Sequence, residues 1–247
     1  MLADTLEQLR GLELRDEDGA VEILELLPPA TDAEVSALEA RLPAALPAEI
    51  RAALSVSIGL VNGPLESFNL LGLTGVGLEE VFPAAHSIAH DGYGNYWVVD
   101  LHPDARSWSP VFYACHDPPV IVYQAATVEE FLRDAIQMWQ PGRRSPVDVV
   151  HEDASLHIWR HNPDLISQAD AARSTDPELA AFAATLTSDF EIIDLRHATT
   201  GQGFSWGRYG PVTRCKRHGT ARIWAITRPA MKSRISHFLF GRNYFNQ

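Results

Sequence analysis

The segment Gly203-Phe204-Ser205-Trp206-Gly207 has the spacing of a nucleophile elbow, in which a strained turn between a strand and a helix exposes a serine to a histidine base. Gly210-Pro211 follows where that helix would start, and no Asp or Glu occurs after Asp194 to orient a later histidine. A hydrolase triad in its usual chain order therefore cannot be assembled. The pattern predicts a structural glycine loop and a chain that is not an enzyme.

The same loop can be compared with a phosphate-binding loop, because Gly201 and Gly203 follow a predicted strand and Arg208 lies close by. Trp206, however, stands where a dinucleotide-binding fingerprint has its third glycine, and no acidic residue follows to hold a ribose. The cluster of Trp206, Arg208 and Tyr209 suits contact with another protein surface instead.

Two histidine pairs, His86 with His90 and His157 with His161, have the four-residue spacing of one helix face. Neither pair has Glu directly after its first histidine, and two imidazoles do not complete a tetrahedral zinc site. The nearby run His151-Glu152-Asp153 adds oxygen and nitrogen ligands, but its spacing is not that of a known metal motif. We therefore predict no metal site and no cofactor.

Composition indicates a globular protein, since 46% of the 247 residues are hydrophobic. The longest nearly uncharged stretch, Ala52 to Leu65, is interrupted by Asn62-Gly63-Pro64 and is too short to cross a bilayer. Only Cys115 and Cys215 occur, so a disulfide framework is not expected and a reducing cytoplasm fits the cysteine usage. The sequence thus predicts a cytoplasmic protein without a membrane partner.

Charge divides the chain into two parts. Residues 1–142 hold 22 Asp and Glu against 6 Arg and Lys, a net charge of −16, whereas residues 143–247 hold 10 against 14, a net charge of +4. The run Pro141 to Pro146 marks the change and is the predicted boundary between a first domain, 1–142, and a basic α+β extension, 143–247.

The basic C-terminal stretch allows three interpretations, namely nucleic-acid binding, a solvated face, or docking on the acidic first domain. Arg and Lys number 10 after Asp194, with aromatic residues at Trp206, Tyr209 and Trp224 that could stack on bases. The sequence pI of about 5.2 favours docking over nucleic acid. We therefore expect the segment Leu195 to Gln247 to fold back on the first domain.

The first domain shows alternating helix and strand signals. A short helix from Leu2 to Arg10 precedes a strand-like Ala20 to Leu27, and the capping box Thr31-Asp32-Ala33-Glu34 predicts a second helix. Pro47 fits the first turn of a third helix, and Thr127-Val128-Glu129-Glu130 is a second capping box. Between them the β-rich segments are 68–73, 96–101, 111–113 and 120–123.

The extension is less regular. We predict a strand or edge segment from Ser155 to Arg160, a helix from Pro163 to about Arg173, another from Pro177 to Leu186, and a strand from Asp189 to Leu195. A glycine-rich loop from Thr199 to Pro211, a strand at 221–227 and a closing helix near 230–240 complete it.

The order of these motifs resembles the Smi/Knr family of the SUKH superfamily over roughly residues 28 to 138. The residues that carry the resemblance are short turn and helix-end motifs in a fixed order. They are Pro28 to Thr31, Leu46-Pro47, Asn62-Gly63, Asp91-Gly92-Tyr93-Gly94-Asn95 with the strand to Asp100, Pro110-Val111, His116-Asp117-Pro118 and Val128 to Leu132.

The resemblance implies an α+β fold with a mixed sheet and packed helices. It also implies a non-enzymatic role, either as an immunity protein that neutralises a toxin or as a regulatory scaffold for cell-wall processes. The acidic first domain suits a basic partner such as a nuclease toxin, because opposite charge accelerates association.

We predict that the partner protein is bound by acidic and aromatic residues in turn-rich segments, with a core position as the alternative for Trp97 and Trp108. The predicted binding residues are Asp91, Tyr93, Asn95, Trp97, Asp104, Trp108, Asp117, Trp206, Arg208 and Tyr209.

Overall fold

A computed structural model describes residues 1–15, 19–61, 63–73, 78–79, 81–140, 142, 144–207 and 213–227. The first elements alternate short helices with short strands. They are α1 (Leu2–Leu9), β1 (Glu13–Arg15), β2 (Val21–Ile23), β3 (Glu25–Leu26), α2 (Asp32–Arg41), α3 (Ala48–Leu54), β4 (Gly59–Val61) and β5 (Ser67–Leu73).

A meander of strands follows and ends in a helix. Its members are β6 (Ala85–His90), β7 (Tyr96–Asp100), β8 (Val111–His116), β9 (Pro119–Ala125) and α4 (Val128–Gln137). Thr127 caps α4 by accepting a hydrogen bond from the Glu130 amide at 3.0 Å, as the capping box predicts. Val128, Phe131 and Leu132 form part of the buried face of α4, which packs against the sheet.

The extension supplies the remaining elements. They are α5 (Pro146–Asp148), a π-helix (Val149–Ala154), α6 (Ser155–His161), β10 (Ile166–Ser167), α7 (Gln168–Ala172), α8 (Pro177–Ala184), β11 (Phe190–Asp194), β12 (Gly203–Ser205), β13 (Cys215–Arg217) and β14 (Ile223–Thr227).

Eight strands form the main sheet in the order β12-β9-β8-β7-β6-β5-β4-β3, and a second sheet has the order β10-β11-β14-β13. The α+β class is confirmed. Every strand pairing between described residues is antiparallel, where the resemblance implied a mixed sheet. This follows from the short turns that connect most neighbouring strands, since parallel pairs need long crossovers.

Two of the predicted elements of the extension are wrong. Ser155 to Arg160 is helical, because Ser155 and Ile158 are buried three residues apart and the Ser155 hydroxyl donates to the His151 carbonyl one turn earlier. The predicted helix from Pro163 to Arg173 is confined to α7. Asn162, in the left-handed region with φ of 49°, ends α6, and the Ser167 hydroxyl caps the helix that follows β10.

The glycine-rich loop contains a strand that the sequence did not predict. β12 pairs with β9, with Gly203 opposite Val122 and Ser205 opposite Val120, so part of the extension completes the main sheet. Strands β1, β4, β6 and β13 were also not predicted, and the closing helix near 230–240 lies outside the described residues.

The segment from Leu195 onward contains no Asp or Glu, and its described part packs on the first domain. The Trp224 indole N–H donates to the Val81 carbonyl at 2.9 Å, and its ring lies edge-on to Phe82 with centroids 5.5 Å apart. Arg217 forms a two-bond ion pair with Asp100, at 2.8 Å and 2.5 Å. The described part of this segment therefore folds back as expected, while the boundary at residue 142 stays a prediction.

Candidate protein-binding surface

One end of the main sheet brings together turns from distant parts of the sequence. His90 pairs with Tyr96 beside the β6–β7 turn, His116 pairs with Pro119 beside the β8–β9 turn, and Ser205 pairs with Val120 at the end of β12. We call this end the turn surface. It consists of Glu66, Asp91 to Asn95, His116 to Pro118, and Trp206.

Asp91 holds the β6–β7 turn in one conformation. Its carboxylate accepts hydrogen bonds from the backbone amides of Tyr93 at 2.8 Å and Asn95 at 3.2 Å, and from the Asn95 side-chain amide at 2.6 Å. Gly92 and Gly94 have φ of 80° and 89°, a region that other residues rarely adopt. The result is a fixed turn that leaves Tyr93 83% exposed.

Asn95 connects this turn to the next one. Its side-chain oxygen accepts from the His116 backbone amide at 3.3 Å and lies 3.2 Å from the His116 ring nitrogen Nδ1. Asn95 is itself buried, so its polar groups need these partners. Asn95 is thus placed to hold the two turns in register.

His151 of the π-helix extends the network into the second half of the chain. Its Nε2 lies 3.4 Å from the Asp91 carboxylate, and this hydrogen bond raises the pKa of His151. Burial alone would raise the pKa of Asp91, but hydrogen bonds from His151, Asn95 and the Tyr93 amide outweigh it and lower that pKa to about 2. Asp91 therefore carries a negative charge throughout the physiological range.

The turn surface gathers five of the predicted binding residues, although they differ in exposure. Tyr93 and Asp117 are exposed, Asp91 and Trp206 are half-buried, and Asn95 is buried. The indole N–H of Trp206 has no hydrogen-bond partner among the described residues.

The other predicted residues lie elsewhere. Trp97 and Trp108 are only 1% and 2% exposed, so both occupy the core position that the sequence left as the alternative. The Trp97 indole N–H donates to Gln124 at 3.1 Å within the sheet. Asp104 is exposed but follows β7 at its other end, so the length of that strand, roughly 16 Å for five residues at about 3.3 Å each, lies between it and the turn. Arg208 and Tyr209 lie outside the described residues.

Ser205 does not stand on a nucleophile elbow. It is fully buried in β12, its hydroxyl donates to the Pro119 carbonyl at 3.2 Å, and its amide donates to the Asn162 side chain at 2.9 Å. A Cβ at Gly203 would come within 2.0 Å of the Ile121 carbonyl oxygen, so the glycine is needed for close strand pairing.

Among the residues that the structure describes, no group of three His, Cys, Asp or Glu side chains is placed to hold a metal ion. His86 and His90 lie on a strand, so the helical spacing considered for them does not apply. In the described part of the chain, no helix has the length and apolar character needed to cross a membrane.

Sequence comparison provides the family. The model of the SMI1 / KNR4 family (SUKH-1) matches residues 29–134, the stretch that runs from the residues before α2 to the last turns of α4. This segment belongs to the SMI1 / KNR4 family. The resemblance noted in the sequence is confirmed. No curated protein and no solved structure matches the chain significantly.

Most of the turn surface lies within the SMI1 / KNR4 segment, whose family members are generally non-catalytic proteins that bind partner proteins. Trp206 and His151 lie outside it. Sequence reasoning missed His151 as a neighbour of Asp91, because a contact between residues 60 positions apart depends on how the π-helix packs. The sequence pointed to His151 only as part of the run His151-Glu152-Asp153, whose side chains were considered as metal ligands.

Proposed function

We propose that this protein is a non-catalytic immunity protein that binds and neutralises a basic toxin, such as a nuclease, through the turn surface. The observation that carries the proposal is the fixed β6–β7 turn, which presents an 83% exposed tyrosine on an acidic domain. The SMI1 / KNR4 match supports a role in protein binding and is compatible with immunity or cell-wall functions.

Tyr93 is suited to be an anchor because its turn is already rigid before binding. An aromatic side chain on a fixed backbone gives large contact area with little loss of conformational entropy on association. The three hydrogen bonds to the Asp91 carboxylate and the two glycines with positive φ supply that rigidity.

Charge favours a cationic partner. Glu66 and Asp117 are exposed beside the turn, and Asp91 stays ionised because its pKa is about 2. Residues 1–142 carry a net charge of −16, so a basic protein would be steered to this domain and would bind faster at low salt.

The test starts from toxin domains encoded beside this gene, each measured for binding by calorimetry and for growth rescue on co-expression. Tyr93→Ala should weaken binding by about 2 kcal/mol or more, roughly 30-fold in Kd, because an aromatic anchor that the partner would bury is lost. Asp117→Lys should slow association and reduce its dependence on salt.

Asp104→Lys is the matched control, since it makes the same change of charge on an exposed aspartate at the other end of β7. It should leave affinity close to that of the unmodified protein. Equal effects of Asp117→Lys and Asp104→Lys, or unchanged affinity in Tyr93→Ala, would refute the turn surface. Binding without growth rescue would refute immunity and favour the regulatory scaffold.

A further inference from the structure

A cleft of about 380 Å³ opens at the end of β6 and β7 away from the turn surface. It lies between the C-terminal end of α2, the C-terminal end of β5 and the start of β6. Its described lining consists of Arg41, Leu42, Pro43, Gly72, Pro83 to Ser87, and Leu101. The volume falls within the range of small-molecule sites, near the lower limit.

A bulge in β5 shapes this cleft. Between the pairs Phe68–Ala89 and Leu73–Ser87 the chain advances five residues along β5 but two along β6, so β5 carries extra residues there. Gly72 has φ of 90°, and a Cβ at this position would lie 2.4 Å from Cε1 of His86. The bulge therefore accommodates the His86 ring, whose other neighbour is Trp108, with ring centroids 4.5 Å apart.

The His86 ring nitrogens have different roles. Nε2 lies 3.0 Å from the Leu70 carbonyl oxygen and must donate to it, because a carbonyl cannot donate. Burial lowers the pKa of His86 to about 4, so the ring is neutral at pH 7. Nδ1 is consequently the acceptor of this imidazole.

Arg41 gives the cleft its charge. One of its terminal nitrogens donates to the Leu71 carbonyl at 2.8 Å, which fixes the guanidinium at the bulge. No carboxylate pairs with Arg41 among the described residues, and no Asp or Glu is among those that line the cleft. The cleft is thus a local cationic site in a domain with a net charge of −16.

From this arrangement we propose that the cleft binds a small molecule that carries a carboxylate or phosphate group beside a hydroxyl or amino donor. The anionic group pairs with the free donors of Arg41, which suit planar oxyanions. The hydroxyl or amino group donates to Nδ1 of His86. Leu42, Pro43 and Leu101 supply apolar contacts for the rest of the molecule.

The experiment uses the full chain labelled with ¹⁵N at pH 7 and constant ionic strength. Inorganic phosphate and glycolate are titrated separately, so that the phosphate and hydroxycarboxylate sources are distinguished. Saturable shifts of the backbone amides of Gly72, Ala84 and Ala85 are expected with one of these probes, while the amides of Tyr93 and Asn95 stay unchanged.

Arg41→Gln should weaken this binding by roughly tenfold to a hundredfold, the effect of losing hydrogen bonds to a charged group. Arg51→Gln is the matched control, because Arg51 is another exposed helix arginine and pairs with Glu39 away from the cleft. The proposal is overturned if neither probe gives saturable shifts at these amides, or if the two variants weaken binding equally. Either outcome would leave the proposal for the turn surface unchanged, because the two sites lie at opposite ends of β6 and β7.

Discussion

Replacing Arg217 by methionine should be among the more costly single substitutions in this protein. The side chains of Arg217 and Asp100 are only 8% and 3% exposed, and the guanidinium donates to both carboxylate oxygens at 2.8 Å and 2.5 Å. Without the cation, Asp100 is a buried charge with no other side-chain partner among the described residues. Breaking a buried pair in this way costs about 3–5 kcal/mol.

Three further contacts of Arg217 are lost with it. Its guanidinium donates to the Ala221 and Thr220 carbonyls at 2.9 Å each, and it lies 5.0 Å from the centroid of the Trp224 ring. These contacts join β13 to the turn before β14. The loss in free energy of unfolding should therefore lie nearer to about 5 than to about 3 kcal/mol.

Urea unfolding at pH 7 measures the effect as a lower free energy of unfolding. Arg214→Met is the matched control, because the Arg214–Asp189 pair is exposed, with side-chain exposures of 62% and 45%, and should change stability little. The double variant Asp100→Asn with Arg217→Met should recover part of the loss, since no buried charge remains. A loss in Arg217→Met no larger than in Arg214→Met would refute the reasoning.

Two other substitutions test local features. Burial, and then the charge of Glu130, raise the pKa of Asp134 to about 6 from its usual 3.8, so the folded state is weakened as pH rises through 6. Asp134→Asn should accordingly raise the free energy of unfolding at pH 7 and have little effect below pH 4; equal gains at both pH values would contradict this. Gly72→Ala should lower the melting temperature more than Gly142→Ala. Both glycines have positive φ, but only Gly72 packs against His86; calorimetry of the two variants checks the order.

Local signals in the sequence predicted well where the helices of the first domain begin, although the third helix ends at Leu54 and not at the expected Asn62-Gly63-Pro64. Thr31 and Thr127 cap α2 and α4 as expected, because a capping box is complete within four residues. Strand β6 was missed, since its Ala, His and Ser residues have little β propensity and the strand is stabilised by neighbours on both sides.

The candidate site was predictable only where it is local. A tight turn is predicted by Asp91, Gly92 and Gly94, and the structure has a turn at these residues. Whether an aromatic residue in the adjoining segments faces solvent or the core depends on the packing of distant elements, which the sequence does not display. Tyr93 is therefore exposed to solvent, whereas Trp97, four residues later, is buried in the core.

The pairing of β12 with β9 has a consequence for the order in which the chain folds during synthesis. Gly203 pairs with Val122, 81 positions earlier, so the edge of β9 has no strand partner until the ribosome has made the second half of the protein. At about 5–20 residues per second this interval is roughly 4–16 s. A nascent strand with an open edge can pair with other chains in that time, and chaperone binding to the nascent chain would protect it.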